Sequence, residues 1–494
     1  MKSRYVLLAL LVGLWTMGLV APRSTHAQNG PGGVGNADGT SGQPLNGLWL
    51  QADRQAFSDA GCSNAGTDGD DVECWRSQSD YQESGGPVEA DPDALSAPVF
   101  EASVAGLNGR SALRFSRSAD DGMTPPDLSP INSDGPYGSH QFHVAFRTGS
   151  DVTSQQVIYE EGGTVNGLNL YIDGGELIAN AWSENEGWTP IDARTTVSAN
   201  TSYVVSVVFD GSATDQLELY VNDAQTPVDT DSDPSVGDLA EHIGNITVGN
   251  VNNDTEFAGG VDGSGTGGFG FDGWIGDFAH FETATNDARR RLVMSAMAAK
   301  YDVALTGQLY TFPGSSSRVA GSGTDLDGSQ HFTAESEGLT LETTAGGTDE
   351  FTLVGHNGLP GDFTAETDVS GIGTRYERVW RLQKQGSTST SLVFDVNGIP
   401  LATGQEFRLL VESSGGSGTF PASTSVLTGT LDAGNSTFSI AEADVSAISS
   451  GSYLTLARTE VSGPQSITYS PDAVTEAQDN LPVTSAVPSV TAEA

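Results

Sequence analysis

Trp182 and Trp188 flank Glu184, Asn185 and Glu186 in a segment that follows a β-like run at Leu177-Ile178. Indole faces stack on sugar rings, and nearby carboxylates and amides take the hydroxyl hydrogen bonds, so the segment suits carbohydrate recognition. The competing reading places one or both indoles in the core, because alternation from Leu177 does not fix their direction. Oxygen ligands for calcium are the other chemistry on offer. Asp229, Asp231 and Asp233 have D-x-D-x-D spacing, with Pro234 where an EF-hand loop needs glycine. Asn253, Asp254, Asp262 and Asp272, beside Asn252, flank a later strand-like run. Asp68, Asp70 and Asp71 lie between the two cysteines. In so acidic a chain, each cluster also reads as a solvated loop.

Catalytic patterns are harder to find. The sequence has no Gly-x-Ser-x-Gly elbow and no His-Glu-x-x-His. His140 and His143 have H-x-x-H spacing, but residues three apart on a strand point to opposite faces, so they read as ordinary strand residues. Ser183 to Thr189 resembles a single degenerate sialidase Asp-box, which is a turn motif rather than a catalytic one. Cys62 and Cys74 are the only cysteines, and outside the cytoplasm they are expected to form one disulfide. It would pin its loop by roughly 2–3 kcal/mol. Two soft ligands are too few for a metal site.

The elements that must position these residues are strands. In Thr201 to Asp223, Val205, Val207 and Phe209 alternate on one arm and Leu217, Leu219 and Val221 on the other, joined by the turn Asp210-Gly211-Ser212. With 62 Gly in 494 residues, 17% charged residues and little helical periodicity, the chain reads as all-β with many turns. One helix is expected. Thr285 or Asn286 caps it, Asp287 suits its N-terminal end, and Leu292, Val293, Ala296, Met297 and Tyr301 form its stripe. Its expected place is over an edge or one end of a sandwich.

The hairpin at 201–223 resembles that of LamG-like modules, which are concanavalin A-like jelly rolls. The likeness extends in pieces over 45–305. Leu48 to Asp53 resembles an "LWL(R/K)AD" opening strand, Asn108 to Phe115 an "NGxPALRF" strand, Phe142 to Arg147 the start of the second sheet, and Phe271 to Phe278 an "FxGxIGEv" closing strand. The helix ending Lys300-Tyr301 resembles the one that follows the closing strand in this subgroup. Val319 to Gly323, Leu353 to Asn357 and Arg375 to Arg381 resemble the "VAGIGR", "GHN" and "RxxRxWR" marks of an uncharacterised β domain of secreted bacterial proteins. These resemblances imply a jelly-roll β-sandwich followed by a second β-sandwich-like domain, and no activity. Glucanases on the first fold carry Glu-x-Asp-x-x-Glu on one strand, which aligns three carboxylates. Glu89-Ala90-Asp91, Glu366-Thr367-Asp368 and Glu442-Ala443-Asp444 have Ala94, Gly371 and Ala447 in the last place. An enzyme of that kind is not expected.

The expected organisation is a signal peptide over 1–27, a Gly-rich linker over 28–44, the jelly roll over 45–305, a β domain over 306–459 and a disordered tail over 460–494. Lys2 and Arg4, the apolar Val6 to Val20 and Thr25-His26-Ala27 mark the signal peptide. Its apolar stretch is too short for a membrane span, and no insertion is expected after its removal. Lys+Arg 21 against Asp+Glu 64 gives a net charge of −43, so nucleic acid and anionic membranes are poor partners. Lysine beyond the signal peptide is confined to Lys300 and Lys384, and the acidic surface suits a salt-rich medium. The sequence therefore points to a secreted or cell-surface, non-catalytic binding protein. Its expected partner is a polysaccharide, a glycoprotein or another surface protein, with calcium as structural support. The alternatives are a glycan-degrading enzyme drawn from separate strands and a structural surface protein.

Overall fold

The computed structural model describes residues 30–460 apart from 245, 367 and 414–417; the expected signal peptide and nearly all of the expected tail lie outside the described residues. The hairpin forms as its alternation requires. Val205, Val207 and Phe209 face Val221, Leu219 and Leu217 across an antiparallel pair, and all but the half-buried Val221 are fully buried. The hairpin belongs to an eight-stranded sheet that also holds the strands Ser139–Thr148, Gly273–Phe281, Arg110–Phe115 and Asn46–Gln51. A five-stranded sheet faces it, ordered Trp188–Thr196, Glu176–Ser183, Asn166–Asp173, Gln156–Gly162, Ile246–Val248. Side chains of alternating positions fill the space between them, among them Phe115, Phe142, Phe146, Ile158 and Leu170. The chain is thus all-β, with an antiparallel jelly-roll sandwich at its N-terminal side.

Beyond it, a nine-stranded and a five-stranded antiparallel sheet, built from 317 to 460, enclose a second core around Leu341, Trp380, Leu392, Phe394 and Leu454. Cys62 and Cys74 are joined in a disulfide with Cα atoms 5.6 Å apart. Among the described residues no helix is long and apolar enough to cross a membrane.

The helix Asp287–Tyr301 is capped by Asn286, whose side chain accepts from the Arg289 N–H. It covers the outer face of the eight-stranded sheet rather than an edge, and nearly every one of its residues is buried. Ala145, Val204 and Ala279 of that sheet pack on one side, while Val319, Phe351 and Leu353 of the second sandwich join the same apolar cluster. One helix therefore glues two sandwiches together. The Gly-rich stretch from Gly30 is likewise no free linker. Gly32 bridges to Ala320, and a Cβ on it would lie 2.7 Å from the Leu292 backbone. Gly33, at φ +77°, would place a Cβ 2.6 Å from that of Ala334. Only glycine lets the chain thread this seam.

Candidate functional site: a charged cleft between the sandwiches

Residues within or beside four of the resemblance marks quoted above converge in space. Asp53 and Arg54 follow the opening strand, and Arg110 begins its strand after left-handed Asn108 and Gly109. From the other side come Arg318, the Asn357-Gly358 end of a strand, and Arg378 in the turn before Trp380–Gln385. All but Arg318 line a cavity of about 470 Å³, and a narrow adjoining pocket reaches Lys300 and Arg318. Its size falls in the range of small-ligand sites. Five cations, Arg54, Arg110, Lys300, Arg318 and Arg378, stand along its walls against the carboxylates Asp53 and Glu337. That is a quarter of the chain's basic residues, in a molecule of net charge −43.

Glu337 is the hub. Its carboxylate meets Arg54 at 2.9 Å, Arg318 at 3.2 Å, Arg378 at 2.9 Å and His356 at 3.4 Å. Burial alone would raise its carboxyl, but His356 and the arginines outweigh that and hold it well below the usual carboxylate range. Arg318 lies over the Trp49 ring at 4.3 Å and donates to Gln78, and burial lowers its guanidinium to about 10. Arg318 and Glu337 both adopt left-handed backbone, at φ +47° and +42°, where ordinary side chains are strained by about 1–3 kcal/mol. The ion pairs over-determine that strain. Lys300 binds Asp53 at 2.7 Å and Asp277 at 2.9 Å. Asp53 is likewise depressed: burial pushes it up, and Lys300 together with Arg54 and Arg318 outweighs burial. Arg110 and Arg54 are the least engaged of the cations. Arg110 donates to Ser316 at 2.9 Å, and the Arg54 side chain is 36% exposed.

The residues singled out for sugar stacking part company. Trp188 lies inside the jelly-roll core, stacked on Phe209 at 5.7 Å, with its indole N–H on the Asp238 carbonyl. Trp182 projects to the opposite face of the five-stranded sheet but is also fully buried, held by the Gly163 carbonyl over Gly167. Neither ring is open to a sugar, because Ser183 and Trp188 pair across a bulged hairpin that turns the two indoles to opposite faces. Glu184, Asn185 and Glu186 form the exposed turn between them.

The calcium candidates do not converge either. Among the described residues, none of Asp229, Asp231, Asp233, Asp254, Asp262 and Asp272 belongs to a trio of ligand atoms within 4.8 Å. Asp229 and Asp231 sit on a short edge strand and accept the Arg194 and Asp192 backbone N–H groups, clipping one sheet's edge to the other's. Asp233 accepts from Ser235. Asp254 accepts the Gly265 N–H, Asn253 and Asp262 are exposed, and Asp272 is half-buried at the start of the closing strand.

Sequence reasoning missed a polar row on the outer face of the five-stranded sheet. Thr247, Glu160, Asn169, Asn180 and Asp192 are successive cross-strand partners. The hairpin Asp254–Phe257 with Val261–Ser264 roofs it, its Glu256 carbonyl taking both Asn169 and Asn180 side-chain amides. Burial raises the Glu160 carboxyl far above its usual value, against the opposing pull of the Asn252 backbone and the Thr247 hydroxyl. Only period-2 alternation opposite Glu161 could have placed it.

The family described as "Domain of unknown function (DUF8202)" matches residues 325–450, inside the second sandwich. No curated protein matches this chain. Among solved structures, the chain is similar to the botulinum neurotoxin serotype G binding domain at 10% identity and TM-score 0.36, covering 83% of this chain and 97% of that one. A binding domain of botulinum neurotoxin DC in complex with SialylT gives 11% identity and TM-score 0.32, over 80% of this chain and 81% of that one. The Ruminococcus gnavus IT-sialidase CBM40 bound to α2,3-sialyllactose gives 15% identity and TM-score 0.25, over 32% of this chain and 83% of that one.

Proposed function

We propose that this is an exported, non-catalytic binding protein that takes an anionic glycan, rich in carboxylate or sulfate groups, in the cleft between its sandwiches. The observation that carries the reading is the cation excess at that cleft in a chain otherwise overwhelmingly acidic. Arginine forks match carboxylate and sulfate oxygens in pairs, and Arg110 and Arg54 have the most capacity left to do so. A neutral glycan would gain little from such walls, and nucleic acid would meet repulsion everywhere else. Glycoside hydrolysis needs one carboxyl raised enough to act as an acid beside an ionised partner. Here Asp53 and Glu337 are both depressed, which disfavours an enzyme at this cleft.

The test is a glycan array of uronic, sulfated, sialylated and neutral chains, read with calcium and with chelator, on the wild type and Arg110→Ala. Binding confined to acidic chains and weakened at least tenfold in the variant, with an unchanged circular dichroism spectrum, is the expected result. Equal binding by wild type and variant, or preference for neutral chains, overturns the cleft assignment. Complete absence of glycan binding favours a protein partner or a purely structural role.

A further inference from the structure

Four side chains that the binding reading does not use meet between the two jelly-roll sheets. His140 and His280 project inward from neighbouring strands of the eight-stranded sheet. Glu161 projects from the five-stranded sheet opposite, and His242 comes from the loop ahead of Ile246–Val248. The first three are 0% exposed and His242 5%.

Their ligand atoms converge. His140 Nδ1 lies 3.4 Å from His280 Nε2 and 3.3 Å from Glu161 Oε1. His280 Nε2 lies 3.3 Å from Glu161 Oε2, and His242 Nε2 lies 3.5 Å from Glu161 Oε1. One ligand atom each from His140, Glu161 and His280 fall within 4.8 Å of one another. Zinc holds nitrogen and oxygen ligands at about 2.0–2.1 Å, so ligand atoms at the corners of its tetrahedron stand about 3.3 Å apart. The spacings among His140, His280 and Glu161 match that edge, whereas His242 approaches Glu161 alone and stands outside the trio.

Proton accounting points the same way. The His242 Nδ1 lies 2.6 Å from the Ala240 carbonyl oxygen, which can only accept, so Nδ1 carries the proton. His242 Nε2 then faces Glu161 Oε1 at 3.5 Å, and neither atom has a hydrogen-bond partner. Tyr159 already donates to the other oxygen, Oε2. A cation held among these buried nitrogen and carboxylate oxygen atoms would offset the cost of burying the Glu161 charge.

We propose that His140, His280 and Glu161, with His242 beside the carboxylate, form a site for one divalent first-row transition ion, zinc foremost, that ties the two jelly-roll sheets together. A set of two imidazoles and one carboxylate suits such an ion and not calcium, which prefers an all-oxygen shell. With every ligand buried the site is closed, which is the habit of a structural metal rather than a catalytic one. The His242 tautomer is pinned by a backbone carbonyl, a common outer-shell arrangement.

The test starts with elemental analysis of the full chain purified without chelator. About one equivalent of zinc, iron or another such metal per chain is expected, lost in Glu161→Gln and kept in His143→Gln, whose imidazole faces the helix side of the same strand. Chelator-stripped protein should melt several degrees lower and recover with added zinc. If Glu161→Gln fails to fold, cobalt added to stripped wild type decides: an intense visible absorption band, as tetrahedral cobalt gives, supports the site. Substoichiometric metal, with no melting response to zinc and no cobalt band, overturns it. Metal retained in Glu161→Gln at one equivalent overturns it as well.

Discussion

Glu337 gathers three guanidiniums and an imidazole on one carboxylate, so its charge is what makes their burial tolerable. Glu337→Gln keeps the shape and leaves Arg318, itself almost wholly buried, without its counter-ion. Breaking a buried pair by removing one partner costs about 3–5 kcal/mol, and a loss of that size is expected in urea unfolding of the variant. The pH dependence follows from the same contacts. Because the Glu337 carboxyl is depressed, the unfolded chain takes up its proton first, so this stabilisation is present above 4.5 and is lost as pH falls below it. His356 is lowered from 6.5 to about 4, chiefly by burial, so the unfolded chain again binds the proton first and stability falls as pH drops through that interval. The wild type should therefore weaken progressively from pH 6.5 downward, and the steepening below 4.5 should be reduced in Glu337→Gln, leaving the share of other depressed carboxyls such as Asp53. A variant with an unchanged acid limb would contradict the hub.

At the scale of single elements, the hairpin over the polar row carries its own switch. Glu256 is raised to about 7, first by burial and then by the nearby Glu184 and Asp262. Between 4.5 and 7 the folded hairpin holds a proton that the open one releases, so its closure weakens as pH rises through that window. Hydrogen-exchange protection of 254–264, corrected for intrinsic rate, should fall from pH 5 to 8, and Glu256→Gln should flatten the profile. The opposite trend would mean Glu256 is ionised beneath the closed hairpin. The seam past Gly33 makes a second element-level case. Gly33→Ala meets both strain at φ +77° and a contact at 2.6 Å, and overpacking of that kind costs about 1–3 kcal/mol in thermal or urea unfolding. Legibility from sequence divides along this scale. The 201–223 hairpin, the helix with its Asn286 cap and the Cys62–Cys74 pair were readable, because period, capping chemistry and proximity are local signals. The indoles were not, because one bulge between Ala181 and Ser183 decides which face each takes. The cleft was half-readable: Asp53, Arg110, Asn357 and Arg378 stood in the quoted motifs, but Arg54, Arg318 and the hub Glu337 did not, and nothing in one dimension brings Arg110 to Glu337. The four inward side chains come from separate strands and a loop, and only His140 belonged to a visible spacing.

On the scale of the whole molecule, the helix Asp287–Tyr301 is a shared core layer, not a cap, so neither sandwich buries its outer apolar face without it. One cooperative transition is expected for 30–460 in calorimetry, and Leu292→Ala, which truncates a fully buried side chain in that layer, should lower it as a unit by about 2–5 kcal/mol. Two resolved transitions would show that the layer does not couple the sandwiches. The charge of −43 acts over the same whole. Self-repulsion spread over the surface is screened as the Debye length shrinks from about 10 Å at 0.1 M salt to about 3 Å at 1 M. Melting temperature should therefore rise with sodium chloride well into the molar range. The cleft responds in the opposite sense, since salt also screens the attraction of its arginines for an acidic chain. What survives at molar salt is contact at hydrogen-bond distance, where paired N–H groups grip an anion inside a screened medium. Affinity for an acidic glycan should fall with salt to a plateau in the wild type, and Arg110→Ala should remove the plateau while leaving the rise in melting temperature intact. If affinity instead falls without limit, the attraction is diffuse and the cleft is no specific site.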